Sequence, residues 1–306
     1  MTQSQPMTAA AQRQLWFQAV NPLIYTAAVI PVLVGSAAAY AEAPPLFSWN
    51  TFAWVLAGVV LLQVWLNITN DLYDAETGVD VNKLTSLVHL TGRPGLLHLI
   101  AWSCLAAGLL CIYVVNARHP DHWILGIAGA GILLGYAYQG PPLRLAYLGW
   151  GEPMTFIAFG PLSTLAASYA QLGRFTEMAF WASLVVGCLV TGILFAHHFP
   201  QVEDDRRAGK RSPVVQLGAY RASRVYPWVV LPAYALVLVG VAAGFLPWTT
   251  LLFGASFPLA WRLVTFLWRT YEGPASGGAM PLAVGLHAFG GVLLAIGLWL
   301  GQPYLR

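Results

Sequence analysis

Hydrophobic and polar positions alternate along this chain in long blocks. Nine apolar runs, at roughly 18–41, 51–71, 96–117, 122–139, 153–171, 178–200, 226–245, 247–268 and 280–301, are separated by short polar connections. Runs of about 20 residues can cross the hydrocarbon of a bilayer as helices, which satisfy every backbone donor and acceptor within the segment. The pattern predicts an all-α, polytopic membrane protein, with about nine transmembrane helices in one bundle around a central cavity. The run at 122–139 is short and glycine-rich, with Gly126, Gly129, Gly131 and Gly135. A polar tail at 1–14 precedes the first run and shows no Ala-x-Ala cleavage pattern, so that run is expected to be retained. No linker or low-complexity tract divides residues 1–306, which read as a single domain. The second and sixth runs each end in an acidic loop, a faint sign of duplication within it.

Composition supports this reading. The chain is 58% hydrophobic and 9% charged, with mean hydropathy +0.64, whereas a soluble domain carries about 25% charged residues. Thirty glycines suit close packing between membrane helices. With nine helices, the N-terminus and the acidic loops share one side of the membrane. Twelve cations fall there (Arg13, Lys83, Arg93, Arg144, Arg206, Arg207, Lys210, Arg211, Arg221, Arg224, Arg262 and Arg269) and three on the other side (Arg118, Arg174 and Arg306). That bias predicts a cytoplasmic acidic face. The net charge of +3 is thereby explained by topology and gives no reason to expect nucleic acid. Cys104, Cys111 and Cys188 lie in apolar runs without a Cys-x-x-Cys pair, as packing residues do.

Chemistry concentrates in the two acidic loops. The first reads Asn67-Ile68-Thr69-Asn70-Asp71-Leu72-Tyr73-Asp74-Ala75-Glu76-Thr77-Gly78-Val79-Asp80 and holds four of the twelve acids. On a helix Asn70 and Asp74 share a face, as do Asn67 and Asp71. Gly78 permits a turn that returns Asp80 towards them. Oxygen donors of this kind suit Mg2+, which takes one or two carboxylates and completes its shell with water and phosphate; a solvated helix end is the plainer alternative. The second loop follows His197 and His198 and supplies Gln201, Glu203, Asp204 and Asp205, with Gln201 and Asp205 again four apart. Zinc is disfavoured because the neighbours are oxygen donors and no cysteine is near. The two histidines instead suggest acceptor positioning or a hydrogen bond at the helix end. Lys83 and Arg93 follow the first loop, while Arg206, Arg207, Lys210 and Arg211 follow the second. Between them lies Tyr138-Gln139-Gly140-Pro141-Pro142-Leu143-Arg144-Leu145-Ala146-Tyr147. Acids beside cations suggest a metal-bridged phosphate, although topology alone accounts for Arg221, Arg224, Arg262 and Arg269. Trp65, Tyr73, Tyr136, Tyr138 and Phe195 fall near the mouths, where an aromatic face can stabilise a carbocation.

A metal-bound diphosphate, a long apolar cavity and aromatic walls describe the transfer of an allylic lipid chain. The motifs Asn70-Asp71-x-x-Asp74 with Asp80, and Glu203-Asp204-Asp205-Arg206-Arg207-x-Gly209-Lys210, resemble those of the UbiA superfamily of intramembrane prenyltransferases over most of the chain. The Asp74-to-Asp80 gap, the Asp205–Lys210 run and Leu217-Gly218 are similar to the 1,4-dihydroxy-2-naphthoate branch. The string from His197 to Asp205 is most similar to its phytyl-using members. The resemblance implies Mg2+ held by Asn70 and Asp74 on one side and by Asp205, with Gln201 or Asp204, on the other. Asp71, Asp80 and Glu203 would act directly or through water, with Asp74, Asp80 and Asp205 central to catalysis. Lys83, Tyr138, Arg144, Arg206 and Lys210 are the candidates for holding the diphosphate. The implied partners are phytyl or another prenyl diphosphate, dihydroxynaphthoate and the lipid bilayer, with no obligatory protein partner. Gln201 departs from the usual first aspartate of the second motif. Another acceptor (homogentisate, 4-hydroxybenzoate, haem or a chlorophyllide) is the same-class alternative. A cation-coupled transporter is the other, but its acids belong near mid-membrane, and these fall at helix ends.

Overall fold

A computed structural model describes residues 9–20, 22–78 and 86–301, and among them every regular element is helical. Asp80 and Lys83 lie outside the described residues. In chain order the helices are α1 (Ala9–Val20), α2 (Thr26–Glu42), α3 (Trp49–Thr77), α4 (Leu87–Thr91), α5 (Pro94–Asn116), α6 (Trp123–Gln139) and α7 (Gly151–Ile157). Then come α8 (Ser163–Leu172), α9 (Glu177–Arg207), α10 (Pro213–Leu217), α11 (Ala219–Val225), α12 (Pro227–Val230), α13 (Pro232–Ala242), α14 (Phe257–Arg269) and α15 (Ala279–Leu300). A π-helical turn, Ala158–Leu162 with Pro161 inside it, joins α7 to α8; proline removes a backbone donor, so the ladder must adjust there. All nine predicted runs are found as helical passages. Seven are long and apolar enough to cross a membrane; the 17-residue α6 and the π-interrupted passage at 151–172 are the other two. This is a multi-pass membrane protein.

Caps fix where the passages begin and end. Ser48 Oγ accepts from Thr51 N at the start of α3 and Thr176 Oγ1 from Ala179 N at the start of α9, each satisfying an otherwise orphaned donor. Gly78, with φ 77°, closes α3 in the left-handed conformation that favours glycine. Contacts between connections confirm the alternation of the passages. On one face Arg118 donates to Thr51 Oγ1 at 2.8 Å, and Gln171 brackets the Ser48 backbone at 2.9 and 3.2 Å. On the other, Arg211 N donates to Tyr147 O at 2.9 Å and Arg144 lies 3.9 Å from Glu76. The two acidic motifs share this second face.

Packing is uneven, and that unevenness makes the site. α9 is the central helix, with 78% of its most apolar stretch buried against 33% for α3. Its sequence is apolar all round because it has neighbours all round. One large core joins α2, α9 and α11 to α15, including Tyr226, whose hydroxyl donates to Gly192 O at 2.9 Å. Backbones come close where side chains are small: a Cβ on Gly35 of α2 would stand 2.2 Å from Thr164 O of α8. Around α3, α5 and α6 the cores are smaller and separate, and there the bundle is hollow.

Candidate active site

A cavity of about 900 Å³ runs between α2, α3, α5, α6, α8 and α9. Its polar end carries Asn70, Asp71, Asp74, Tyr138, Gln139, His197, Gln201 and Lys210, whereas Val55, Val115 and Ile124 line the apolar end. Both Val55 and Asp74 belong to α3 and line the same cavity, so it follows about 28 Å of that helix at 1.5 Å per residue. With 29 and 31 residues, α3 and α9 extend for about 43 and 46 Å, longer than the ~30 Å hydrocarbon layer. Their acidic ends therefore reach the membrane interface.

At that mouth Asp74 Oδ1 accepts from Gln139 Nε2 and, at 3.2 Å, from the Tyr147 hydroxyl. Tyr147 also shares a 2.6 Å hydrogen bond with Thr77. Burial raises the Tyr147 pKa and the Asp74 charge adds to it, although the Thr77 contact works the other way, so the hydroxyl remains a donor. The 140–150 connection that delivers Tyr147 is held by the Arg211 contact described above. Gly149 allows a close approach to that segment, since a Cβ there would stand 2.6 Å from Gln216 Nε2 and its φ is 89°. Asp71, which lines the same cavity, also braces the mouth. Its Oδ2 accepts from Ser86 Oγ at 3.0 Å and Val88 N at 3.1 Å, holding α4 in place.

The second motif divides between inside and outside. His197 and Gln201 line the cavity. Asp205 is fully buried behind it, 3.0 Å from His198 Nδ1 and 3.5 Å from Lys210 Nζ. The other imidazole nitrogen, Nε2, lies 3.3 Å from Glu152 Oε1. Glu152, His198, Asp205 and Lys210 thus form one buried chain whose last member reaches the cavity wall. Lys210 Nζ also stands 5.9 Å from the Tyr147 ring centre, within cation–π range. Glu203 and Asp204 point outward, paired to Arg206 and Arg207 three residues on, each at 2.6 Å. Along a helix such residues are neighbours, and none of Glu203, Asp204 and Arg206 lines the cavity. Arg144, whose φ is 43°, approaches Glu76 rather than the cavity, and its buried Nε has no partner among the described residues.

The oxygen donors that line the polar end of the cavity include Asn70, Asp71, Asp74 and Gln201, and Lys210 lines the same cavity. Among the described residues no three His, Cys, Asp or Glu side chains form a ready-made metal cage. An open, oxygen-only and partly filled set fits Mg2+, which leaves positions for water and phosphate, and fits zinc poorly. Sequence reasoning gives no role to Gln139 or Tyr147, although both lie in the segment singled out around Arg144. It also misses Glu152, whose only signal is its position as the sole acid between Asp121 and Glu177.

The UbiA prenyltransferase family model matches residues 28–280. This chain belongs to that family. It is 41% identical to the 2-carboxy-1,4-naphthoquinone phytyltransferase of Synechocystis sp., across 98% of this chain and 99% of that protein. The chloroplastic phytyltransferase of the same description from Arabidopsis thaliana is 34% identical, across 93% of this chain and 77% of its own. Among solved structures, the apo UbiA homologue from Aeropyrum pernix K1 superposes with TM-score 0.70 at 16% identity, covering 92% of this chain and 98% of that one. A UbiA homologue from Archaeoglobus fulgidus, bound to DMAPP and Mg2+, covers 92% and 99% with TM-score 0.59 at 16% identity. At these identities the two structures establish the fold. As a member of the family, the chain is a prenyltransferase.

Proposed function

We propose that this UbiA-family protein transfers a phytyl group, or another polyprenyl group, from its diphosphate to 1,4-dihydroxy-2-naphthoate. The acceptor's carboxylate is lost and a phylloquinone or menaquinone precursor is made. The observation that carries the reading is one cavity that follows α3 for about 28 Å, from an oxygen-donor mouth at Asp74 to an apolar end at Val55. A diphosphate fits the first and a long isoprenoid chain the second. The Synechocystis and Arabidopsis relatives, each named for phytyl transfer to a carboxynaphthoquinone, support the donor and acceptor.

In this reading Asn70, Asp74 and Gln201 would hold Mg2+, which when bound offsets the charge that develops on the departing diphosphate. Lys210 and Tyr138 line the same cavity and would bind phosphoryl oxygens. Gln139 and Tyr147 fix the Asp74 carboxylate so that it need not reorganise during the reaction. The allylic C–O bond breaks, a C–C bond to the electron-rich ring forms, and diphosphate leaves. Apolar walls keep water from the allylic cation before the ring captures it. His197 lines the cavity beside Gln201 and is placed to orient the acceptor. Residues 1–306 would act as one domain without an obligatory protein partner. The twelve-to-three distribution of cations supports a cytoplasmic mouth, and the chloroplastic relative is consistent with a thylakoid-type membrane.

The test is diphosphate release by purified protein supplied with phytyl diphosphate, with and without Mg2+ and the dihydroxynaphthoate. Release is expected only when both are present, together with a prenylated, decarboxylated product by mass. Turnover with homogentisate or 4-hydroxybenzoate instead reassigns the acceptor, and no release with any pair sinks the enzymatic reading.

A further inference from the structure

One wall of the cavity is built from a single stripe of α6 that includes Ile124, Ile127, Ala128, Gly131, Leu134 and Tyr138. Five of these bring a side chain to the lumen; Gly131, midway along, brings none. A Cβ built there meets no atom within 4 Å. That open space is cavity and not lipid. Leu133, two residues on, is 70% exposed on the outer surface, and two helical residues are about 200° apart. Gly129 offers the contrast. A Cβ on it also meets nothing within 4 Å, but it lies about 40° from Leu133 and so faces outward with it.

Gly131 is seven residues from Tyr138, about 10 Å along the helix. Anything bound at the acidic mouth must pass this level to reach the apolar end at Val55 and Ile124. We propose that Gly131 gauges donor chain length: its missing side chain keeps the lumen open for a long polyprenyl tail. A short allylic tail ends before this level and is indifferent to it. The proposal rests on the prenyl-transfer reading above. It assigns specificity to a position far from the metal and phosphate donors, so tail and head-group binding separate experimentally.

The experiment compares wild type, Gly131→Phe and Gly129→Phe. Protection against thermal unfolding is measured with Mg2+ plus dimethylallyl diphosphate and with Mg2+ plus phytyl diphosphate, alongside phytyl transfer. In Gly131→Phe the affinity for phytyl diphosphate and the phytyl transfer rate should fall about tenfold or more, because the ring overfills the lumen. Its affinity for dimethylallyl diphosphate should stay within about twofold of wild type, as should both affinities in Gly129→Phe. Undiminished phytyl affinity in Gly131→Phe, or parallel loss of both donors, overturns the proposal. If the phenylalanine variant does not fold, Gly131→Ala and Gly131→Leu carry the test. Phytyl affinity must then decline with side-chain volume while dimethylallyl affinity holds, and the lack of such a trend refutes it. Wild-type protein protected by neither diphosphate would instead remove the prenyl-transfer reading and this inference with it.

Discussion

At the scale of single residues, neighbouring acids in the same motif do different things. Asp74 lines the cavity and is held by Gln139 and Tyr147, Asp204 is paired to Arg207 on the surface, and Asp205 is buried between His198 and Lys210. Their alanine variants should fail in three distinct ways. Asp74→Ala should lower turnover by more than about a hundredfold while the Tm stays near wild type, since even outer partners of a metal site are worth 10- to 100-fold. Asp204→Ala should leave both within about 0.5 kcal/mol, the usual effect of breaking an exposed ion pair. Asp205→Ala removes the counter-charge from two buried groups and should cost about 3–5 kcal/mol. Turnover and thermal unfolding measured on the same preparations separate these cases. A stable, inactive Asp205→Ala would mean that Asp205 serves the substrate and not the buried chain.

At the scale of elements, the site depends on segments too short to stand alone. α4 has five residues and would not be stable in isolation; it is anchored by the two hydrogen bonds to Asp71. Bonds to an ionised group contribute about 1.5–3 kcal/mol each. Asp71→Ala should therefore release α4 from the mouth, raising KM for the prenyl diphosphate more than it lowers kcat. Amide exchange at residues 87–91 should rise while exchange in α9 is unchanged. Equal loss of protection in both would show a global effect and count against this anchoring role. The same dependence explains why α9 continues beyond the apolar layer: its last turns carry Gln201, Asp205 and the turn to Lys210 as one rigid unit.

At the scale of the whole molecule, α9 divides a solid half from a hollow one. α11 to α15 fill the space on one side of α9, and the cavity occupies the other. Alternating passages bring both acidic motifs to one end and the Ser48–Gln171 and Arg118–Thr51 contacts to the opposite end. If the charge bias sets orientation, a cysteine introduced at Arg207 should react with an impermeant thiol reagent only from the cytoplasmic side. One introduced at Arg118 should react only from outside. The native cysteines are free and lie within the passages, so a wild-type control measures their background. Reversed labelling would invert the assigned orientation without touching the fold.

Hydropathy by itself determined the helical, membrane-spanning class, the nine passages and the shared face of the two motifs. Each follows from a one-dimensional rule: the length of an apolar run, the alternation of direction, or the bias of cations. Spacing also put Asn70 and Asp74 on one face, and both line the cavity, because i and i+4 share a helix face. The same rule did not carry over to the second motif, where Gln201 lines the cavity and Asp205, four residues on, is buried behind it. Only the tertiary structure decided which side of α9 is hollow, and with it which polar residues meet the cavity. The sequence does not distinguish an acid facing solvent, such as Asp204, from one buried beside a lysine, such as Asp205. Glu152 is the clearest instance: nothing near it in the chain carries charge, and its importance arises from a histidine on another helix, 3.3 Å away.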